Sequence, residues 1–441
     1  MAWNVVIAGG GFAGLSAARE LERVMPRQST RITLVNEVNF LLYTPFLPEA
    51  AAGTLEPRHV VTPLRDILRQ TQLRLGAVVS RDAARRIVAL RDQEGTNHEL
   101  AYDQLVLALG SVSRVLPVPG LAEHAIGFKS LADAIWLRNH VIQCLELADA
   151  TEDPTLRDEL LTFLFVGGGY AGLEALAELQ DFAAEAMAFY PRARLHGMRW
   201  ILAEATERVL PEIDTALAEY ALRELRGRGI DIRLGTTLEE VSADSARIST
   251  GEEIPTRTVV WTAGVVPHPG NGMLGVPLDE RGRIVVDDHL QVRGEEGVWA
   301  AGDAAAVPDP ARPGRACPPT SQHAIRQGKT IGRNVAATFG VGRAAPFDYR
   351  TKGQFVNLGR YKAVAKIGSR TFRGFPAWWL ARTYHMSQIP GTMRKVRAVA
   401  DWTVGLPFSR DIAEIGSFSN PRSLRLEAYE ASGAPAPDLP R

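Results

Sequence analysis

The chain has 441 residues, of which 46% are hydrophobic and 23% are charged, and its formal net charge at pH 7 is zero. This composition is typical of a soluble globular protein of two or three domains, and the balanced charge gives no indication of a nucleic-acid partner. The chain has two cysteines, Cys144 and Cys317, far apart in sequence, which excludes a Cys-x-x-Cys redox pair, a disulfide framework and a cysteine-rich zinc site.

Targeting and metal-binding signals are missing from the sequence. Strand-like sequence begins at Trp3 without a basic or apolar leader, and no run of 18 or more uninterrupted apolar residues follows. We therefore expect a cytoplasmic protein without a signal peptide or a transmembrane helix. The nine histidines show neither i, i+4 pairing nor clustering with carboxylates, so the sequence predicts no metal site.

The first predicted element is a strand over residues 4–8 that runs into the turn Gly9-Gly10-Gly11-Phe12-Ala13-Gly14 and a helix over residues 14–25. A strand, a tight glycine turn and a helix bring backbone N–H groups and a helix dipole to a pyrophosphate. A second strand over residues 31–35 follows, and ribose recognition favours an acidic acceptor at its end. Asn36 can bond a ribose hydroxyl there, and Glu37 is the more strongly favoured charged acceptor.

Two further buried strands are predicted to end at the same ligand-binding edge. Residues 102–111 form one, with Ala108 and Gly110 near its end, and residues 297–303 form the other, which ends in Gly302-Asp303. A carboxylate at the carboxyl end of a parallel strand is placed to accept hydrogen bonds from ligand hydroxyls.

A second copy of the glycine turn interrupts the first unit. It reads Gly167-Gly168-Gly169-Tyr170-Ala171-Gly172-Leu173 and again has an apolar strand before it and a helical pattern after it. Its second strand ends in Glu204, which favours NADH over NADPH because a carboxylate repels a 2′-phosphate, although Arg208 lies four residues on. A further strand over residues 258–264 ends in Ala263-Gly264.

Two such turns in one chain predict two bound dinucleotides and electron transfer between them. The predicted fold class is α/β, with two Rossmann-like dinucleotide-binding domains, the second inserted into the first, and a C-terminal α+β segment. The expected boundaries are residues 1–150 and 291–345 for the first domain, 151–290 for the inserted domain and 346–441 for the C-terminal domain, with a disordered tail over residues 431–441.

The C-terminal segment is strongly basic and rich in aromatic residues. Residues 352–410 contain eleven Lys or Arg and one acid, Asp401, a local charge of 11 − 1 = +10. Basic residues interleaved with Trp, Phe and Tyr favour helices that lie on an anionic membrane surface. A basic, aromatic homodimer face is the alternative.

Together these segments resemble the type II NADH dehydrogenases, single-chain flavoproteins that reduce membrane quinones. The resemblance covers residues 5–421. Besides both glycine turns and Gly302-Asp303, it includes Asn39-Phe40-Leu41-Leu42-Tyr43-Thr44-Pro45, Ala51-Ala52-Gly53-Thr54-Leu55, Val260-Trp261-Thr262-Ala263-Gly264, Pro318-Pro319-Thr320-Ser321-Gln322-His323-Ala324 and Lys352-Gly353.

The resemblance implies non-covalent FAD in the first domain, NADH in the second, a quinone acceptor and a peripheral position on the inner face of the cell membrane. Asp303 would hold the flavin ribitol, and a helix starting near Ser321 would direct its amino end at the flavin pyrimidine. The implied catalytic residues are Glu174, Gln322 and Lys352. The implied FAD-binding residues are Gly9, Gly11, Phe12, Ala13, Gly14, Asn36, Glu37, Thr44, Ala108, Gly110, Gly302, Asp303, Ser321 and Gln322. The implied NADH-binding residues are Gly167, Gly169, Tyr170, Ala171, Gly172, Glu174, Glu204, Ala263 and Gly264.

The chain departs from the family pattern at two positions. Arg326 stands where the family has a second glutamine, although Gln327 follows, and Leu41 stands where a histidine is common. The alternative function is therefore an NADH-dependent flavoprotein reductase with a soluble acceptor, and a non-catalytic flavin-binding sensor is a third. A sulfide:quinone reductase is disfavoured because it needs a cysteine pair at the flavin.

Overall fold

A computed structural model of the chain describes residues 3–351 and 353–414. Its centre is a five-stranded sheet in which every strand pairs in parallel with its neighbours. In spatial order the strands are Val298–Ala300, Gln104–Leu107, Trp3–Ala8, Thr30–Asn36 and Gln72–Leu75. Val5 lies opposite both Ile32 and Gln104. The continuous apolar runs are buried, as expected for a parallel sheet covered on both faces.

A second five-stranded parallel sheet repeats the first. Its strands, in spatial order, are Ala125–Gly127, Thr258–Trp261, Thr162–Val166, Arg199–Ala203 and Asp231–Arg233. The strand Ala125–Gly127 joins this sheet although it precedes residue 150, where the sequence places the start of the inserted domain. The domain boundaries remain predictions, but this sheet begins earlier in the chain than they imply.

Smaller sheets connect and flank these two. Three of them have three antiparallel strands each: Ala77–Asp82, Ile87–Arg91 and Asn97–Ala101; Leu238–Val241, Ser245–Ile248 and Glu253–Pro255; and Gly353–Asn357, Ala363–Ile367 and Arg370–Arg373. The three strand pairs are Phe40–Leu42 with Val61–Pro63, Ser111–Ser113 with Val265–Pro267, and Ile284–Val285 with Ala305–Ala306. The chain passes from the first unit to the second through the segment containing Ser111–Ser113 and returns through the segment containing Val265–Pro267. These two connecting segments therefore pair with each other.

The helices cover the sheets and form the C-terminal layer. The α-helices of the described residues are Phe12–Val24, Leu47–Ala51, Pro57–Val60, Leu64–Ile67, Leu121–His124, Leu131–Ala150, Pro154–Leu161, Tyr170–Ala186, Pro191–His196, Thr215–Gly227, Ser321–Thr338, Gly374–Gln388 and Thr392–Gly405. Helix Ser321–Thr338 packs closely on helix Phe12–Val24. The glycine at position 328 permits this approach, since a Cβ there would lie 2.1 Å from the Ala13 carbonyl oxygen. No helix in the described ranges is long and apolar enough to cross a bilayer.

Candidate active site

The first glycine turn has little room for side chains on its protein side. Gly9 has φ +101°, and a Cβ there would lie 2.2 Å from the Ala108 carbonyl oxygen, while a Cβ at Gly14 would lie 1.9 Å from the carbonyl oxygen of Gly9. A Cβ at Gly11 would have no described atom within 4 Å, and no described side chain caps the helix that starts at Phe12. The amino end of this helix is therefore open to an anionic group.

The second turn has the same construction. Gly167 has φ +114°, and its Cβ would lie 2.7 Å from the Thr262 carbonyl oxygen. A Cβ at Gly172 would lie 2.1 Å from the carbonyl oxygen of Gly167, whereas Gly169 has open space around it. In the part of the chain that the structure describes, no side chain caps the helix that begins at Tyr170. Each turn thus leaves one uncapped helix end for a ligand.

The two second strands also end alike. Asn36 Oδ1 accepts a hydrogen bond from the Gly10 N–H at 2.7 Å, and Glu204 Oε2 accepts one from the Gly168 N–H at 2.6 Å. Asn36 is therefore the structural counterpart of Glu204, and Glu37, the favoured acceptor in the sequence, is exposed beyond the strand. Arg208 donates to the carbonyl oxygen of Ile213, so this hydrogen bond engages its guanidinium with the protein's own backbone.

A cavity of about 610 Å³ is lined by residues of both units. The second glycine turn contributes Tyr170, Ala171 and Glu174, and the first unit contributes Asp303, Ser321 and Gln322, with Thr44 at the wall. A second cavity of about 690 Å³ also contains Asp303, together with Gly302, Ser111, Cys317 and Gln327. The two predicted sites therefore open toward each other. The other predicted residues of the turns, with Ala108, Gly110, Ala263 and Gly264, lie outside the linings of these two cavities.

Asp303 is held by a short chain of polar contacts. Ser111 Oγ donates to Asp303 Oδ2 at 2.7 Å, and Lys129 Nζ donates to Ser111 Oγ at 2.9 Å. Burial lowers the pKa of Lys129, and the negative charge of Asp303 partly opposes this shift. Sequence reasoning missed Lys129, because an isolated lysine before the Ser130/Asp133 capping box of a helix has no recognisable pattern.

The helix that begins at Ser321 has Thr320 as its N-cap, in the predicted place. Gln322 has both ends of its amide bonded within the protein: Nε2 donates to the Gly353 carbonyl oxygen at 3.2 Å, and Oε1 accepts from Tyr349 Oη at 2.8 Å. Arg326 stacks over the Tyr349 ring with its guanidinium 4.1 Å from the centroid. The predicted residue Lys352 lies outside the described residues.

The structure places the residues at and beside the two positions where the chain departs from the family pattern, Leu41 and Arg326. Leu41 is buried in the core of the first unit. Gln327, which follows Arg326, is also buried, and its Oε1 accepts a hydrogen bond from the Gly302 N–H at 2.9 Å. Gln327 therefore holds the turn that carries Asp303.

An aromatic wall, formed by Tyr43, Phe46, Phe355, Tyr384 and His385, reaches the cavity of about 610 Å³ through Phe355 and His385. Tyr43 Oη and His385 Nδ1 lie 3.1 Å apart. Burial lowers the pKa of His385 to about 4 and raises the pKa of Tyr43 well above its ordinary value. Both side chains are therefore neutral at pH 7. They form one hydrogen-bonded pair within an otherwise apolar wall.

Glu174 lies between the two units at the cavity. Its Oε1 accepts a hydrogen bond from the Asn357 N–H at 2.8 Å. Burial raises the pKa of Glu174 well above its ordinary value; the Asn357 bond opposes the shift, and the neighbouring Glu49 and Glu178 add to it. The Glu174 carboxyl therefore faces the cavity and holds a proton more readily than an exposed glutamate does.

Comparison with known proteins agrees with this geometry. A model of the pyridine nucleotide-disulphide oxidoreductase family matches residues 3–328. The type II NADH:quinone oxidoreductase Ndh of Mycobacterium tuberculosis is 30% identical over 98% of this chain and 96% of its own length. The chain belongs to the type II NADH:quinone oxidoreductases. Membership implies a pyridine nucleotide and a flavin as cofactors.

Other relatives extend the likeness. A probable NADH dehydrogenase of Dictyostelium discoideum is 28% identical over 93% of this chain and 91% of its own length. The structure of NDH2 from Plasmodium falciparum in complex with NADH has a TM-score of 0.84 at 16% identity and covers 94% of this chain and all of that chain. The sulfide:quinone oxidoreductase of Aquifex aeolicus has a TM-score of 0.68 at 15% identity over 98% of this chain and 95% of its own. These structures show the shared fold.

The thiols of this type II oxidoreductase are unsuited to redox catalysis. Burial raises the pKa of both Cys144 and Cys317 to about 12, so neither is a thiolate at neutral pH. Cys144 lies within helix Leu131–Ala150 and is buried there, as a packing residue is.

Proposed function

We propose that this chain is a FAD-dependent NADH:quinone oxidoreductase that passes two electrons from NADH through bound FAD to a quinone. The observation that carries the proposal is the cavity of about 610 Å³, which Glu174 and Tyr170 line from the second unit and Asp303 and Ser321 from the first. One space bordered by both units allows both ligands to meet.

The first unit fits a flavin dinucleotide. Gly9 and Gly14 provide a turn that a Cβ would fill, Gly11 leaves the amino end of the following helix open, and Asp303 presents a carboxylate to both cavities. These residues would hold the pyrophosphate and the ribitol. Bound FAD would supply the two-electron carrier between donor and acceptor.

The second unit fits NADH better than NADPH. Glu204 is fixed by the Gly168 N–H and by Thr206, whose N–H and hydroxyl donate to Oε1 at 2.9 and 2.7 Å. A carboxylate held in this way accepts hydrogen bonds from an adenine ribose and repels a 2′-phosphate. The Arg208 hydrogen bond to the Ile213 carbonyl oxygen holds this cation on the protein's own backbone.

The acceptor end suits an apolar ring with polar edges. Phe355 of the aromatic wall provides a stacking surface, and His385 and Glu174 provide hydrogen-bonding groups. Gln322, which lines the same cavity, and Lys352 complete the predicted catalytic set. A quinone has this combination of flat apolar body and two carbonyl oxygens.

We further propose that the C-terminal helices lie on the inner face of the cell membrane. Helix Thr392–Gly405 exposes Met393, Val396 and Val404, with Met393 79% exposed, and buries Ala398 on the opposite face. Arg394, Lys395 and Arg397 flank these apolar residues. An apolar outer face with a basic border is the pattern of an interfacial helix. A homodimer stays a prediction.

The test is an anaerobic NADH-oxidation assay with purified protein across menaquinone, ubiquinone and water-soluble acceptors, with and without liposomes. We expect protein-bound FAD and rapid quinone reduction that liposomes of anionic lipid accelerate. Protein without flavin after reconstitution, or turnover only with a soluble redox protein, would contradict the proposal.

A further inference from the structure

Behind Glu174 lies a cluster of buried carboxyls that the proposed function leaves unused. Glu49 is 1% exposed and Glu178 is 0% exposed. Asn357 joins this cluster to the cavity, because its backbone N–H donates to Glu174 Oε1 at 2.8 Å and its Nδ2 donates to Glu49 Oε1 at 2.7 Å. The backbone of Asn357 therefore holds Glu174, and its side chain holds Glu49.

Two carboxyl oxygens in this cluster have no hydrogen-bond partner within residues 3–351 and 353–414. They are Oε2 of Glu49 and Oε1 of Glu178, both fully buried. A buried ionised oxygen without a donor is costly, so such a group takes up a proton instead. Burial and the charge of Glu178 raise the pKa of Glu49 to about 8, against the opposing effect of Arg382. Burial also raises the pKa of Glu178.

The number of charged groups around the cluster indicates how many protons it holds. Five carboxyls face four guanidiniums in the described part of this region, so a neutral cluster holds 5 − 4 = 1 proton. The carboxyls are those of Glu49, Glu174, Glu178, Asp181 and Glu185, and the guanidiniums are those of Arg228, Arg360, Arg382 and Arg410.

Other charged groups near the cluster have charged neighbours outside it: Glu212, which lines the cavity with Glu174, has Arg312. Lys362 and Glu224 pair with each other at 3.6 Å, and Arg138 has Asp411 and Glu56 as its own carboxylate neighbours. The phenol of Tyr43, beside Glu49, is uncharged near pH 7, because burial raises its pKa well above the ordinary value.

We propose that Glu49, Glu174 and Glu178 store one proton in common and that Glu174 is its outlet to the electron acceptor. The proposal rests on the proposed NADH:quinone oxidoreductase function. In the overall reaction the C–H bond of the nicotinamide breaks with its electron pair, NAD⁺ leaves, and two O–H bonds form on the quinone. The electron pair and one hydrogen come from NADH. The second hydrogen is the stored proton, and solvent later refills the cluster with one proton.

The experiment follows proton uptake during a single turnover. Flavin-loaded protein reduced with one equivalent of NADH is mixed with a water-soluble quinone in weakly buffered solution containing a pH indicator, and flavin absorbance is recorded in parallel. In the wild type we expect quinone reduction first and uptake of one solvent proton per chain after a lag. In Glu49→Gln and in Glu178→Gln four carboxyls face four guanidiniums, so the lag disappears and uptake coincides with quinone reduction.

Two variants serve as controls. Glu49→Asp keeps a carboxyl and should restore the lag. Glu20→Gln removes another buried glutamate, which Arg23 and Arg333 hold in its ionised form, and should keep the lag. Wild-type uptake without a lag, or an unchanged lag in both Gln variants, would overturn the proposal. If the wild-type flavin is not reoxidised by the quinone at all, the proposed function fails instead.

Discussion

Glu204 offers the sharpest test of nucleotide recognition. Its carboxylate accepts three hydrogen bonds from Gly168 and Thr206, and its remaining acceptor capacity is available to the ribose hydroxyls of NADH. The perturbation is Glu204→Ala, which removes this acceptor and its negative charge without touching the cavity where the reaction takes place.

The expected magnitude follows from the contacts that are lost. A hydrogen bond to a charged group contributes about 1.5–3 kcal/mol, so the KM for NADH should rise by roughly 10- to 150-fold. The kcat should change by less than about twofold, because the contact is remote from the reacting atoms. The repulsion lost toward a 2′-phosphate is about 1 kcal/mol or more per unit charge, which is roughly fivefold in the kcat/KM for NADPH. Together with the weaker NADH binding, the NADH-to-NADPH ratio of kcat/KM should fall by roughly 60-fold or more.

Steady-state kinetics with both nucleotides and a fixed quinone measure these changes. Glu207→Ala is the matched control, since it removes an exposed carboxylate from the same loop but not the bond to Gly168. The KM for NADH should be nearly unchanged in this control. A Glu204→Ala protein with wild-type KM and wild-type nucleotide preference would refute the assignment of Glu204.

Three further predictions follow from the same geometry. Gly14→Val should yield protein without flavin, and Gly172→Val should yield yellow protein that no longer binds NADH, because each new Cβ would lie about 2 Å from a backbone oxygen. Flavin absorbance measures the first effect and NADH titration the second. Unchanged binding in either variant would contradict the assignment of its turn. The pKa of Glu49 is about 8 in the folded chain against about 4.5 unfolded, so the folded state binds more protons between these values and loses stability as pH rises through them. The Tm of the wild type should therefore fall from pH 5 to pH 8 relative to Glu49→Gln, by the equivalent of a few kcal/mol, and parallel curves would show that Glu49 does not titrate. Replacing Met393, Val396 and Val404 by Ser should abolish flotation with anionic liposomes while kcat with a water-soluble quinone is kept; flotation equal to the wild type would assign this face to another partner.

Local sequence patterns predicted the parts of the fold that depend on neighbouring residues. Both glycine turns, the strands before them and the helix start at Ser321 agree with the structure, because a tight turn, an apolar strand and an N-cap are each specified within a few residues. Glu204 is also found where its strand ends.

The missed features depend on contacts between distant segments. Tyr43 and His385 meet across 342 residues, and Asn357 reaches Glu49 across 308. Lys129 reaches Asp303 through Ser111. The strand Ala125–Gly127 is too short to indicate which sheet it joins. In each case the partner is determined by how the two units pack, which a pattern along the chain does not contain.

The central claim is that one chain brings NADH and a flavin together in a shared cavity. Anaerobic stopped-flow mixing of the purified, flavin-loaded protein with NADH tests it most directly. We predict one flavin per chain and loss of its oxidised absorbance at least as fast as steady-state turnover. Flavin that stays oxidised in the presence of saturating NADH would contradict the claim.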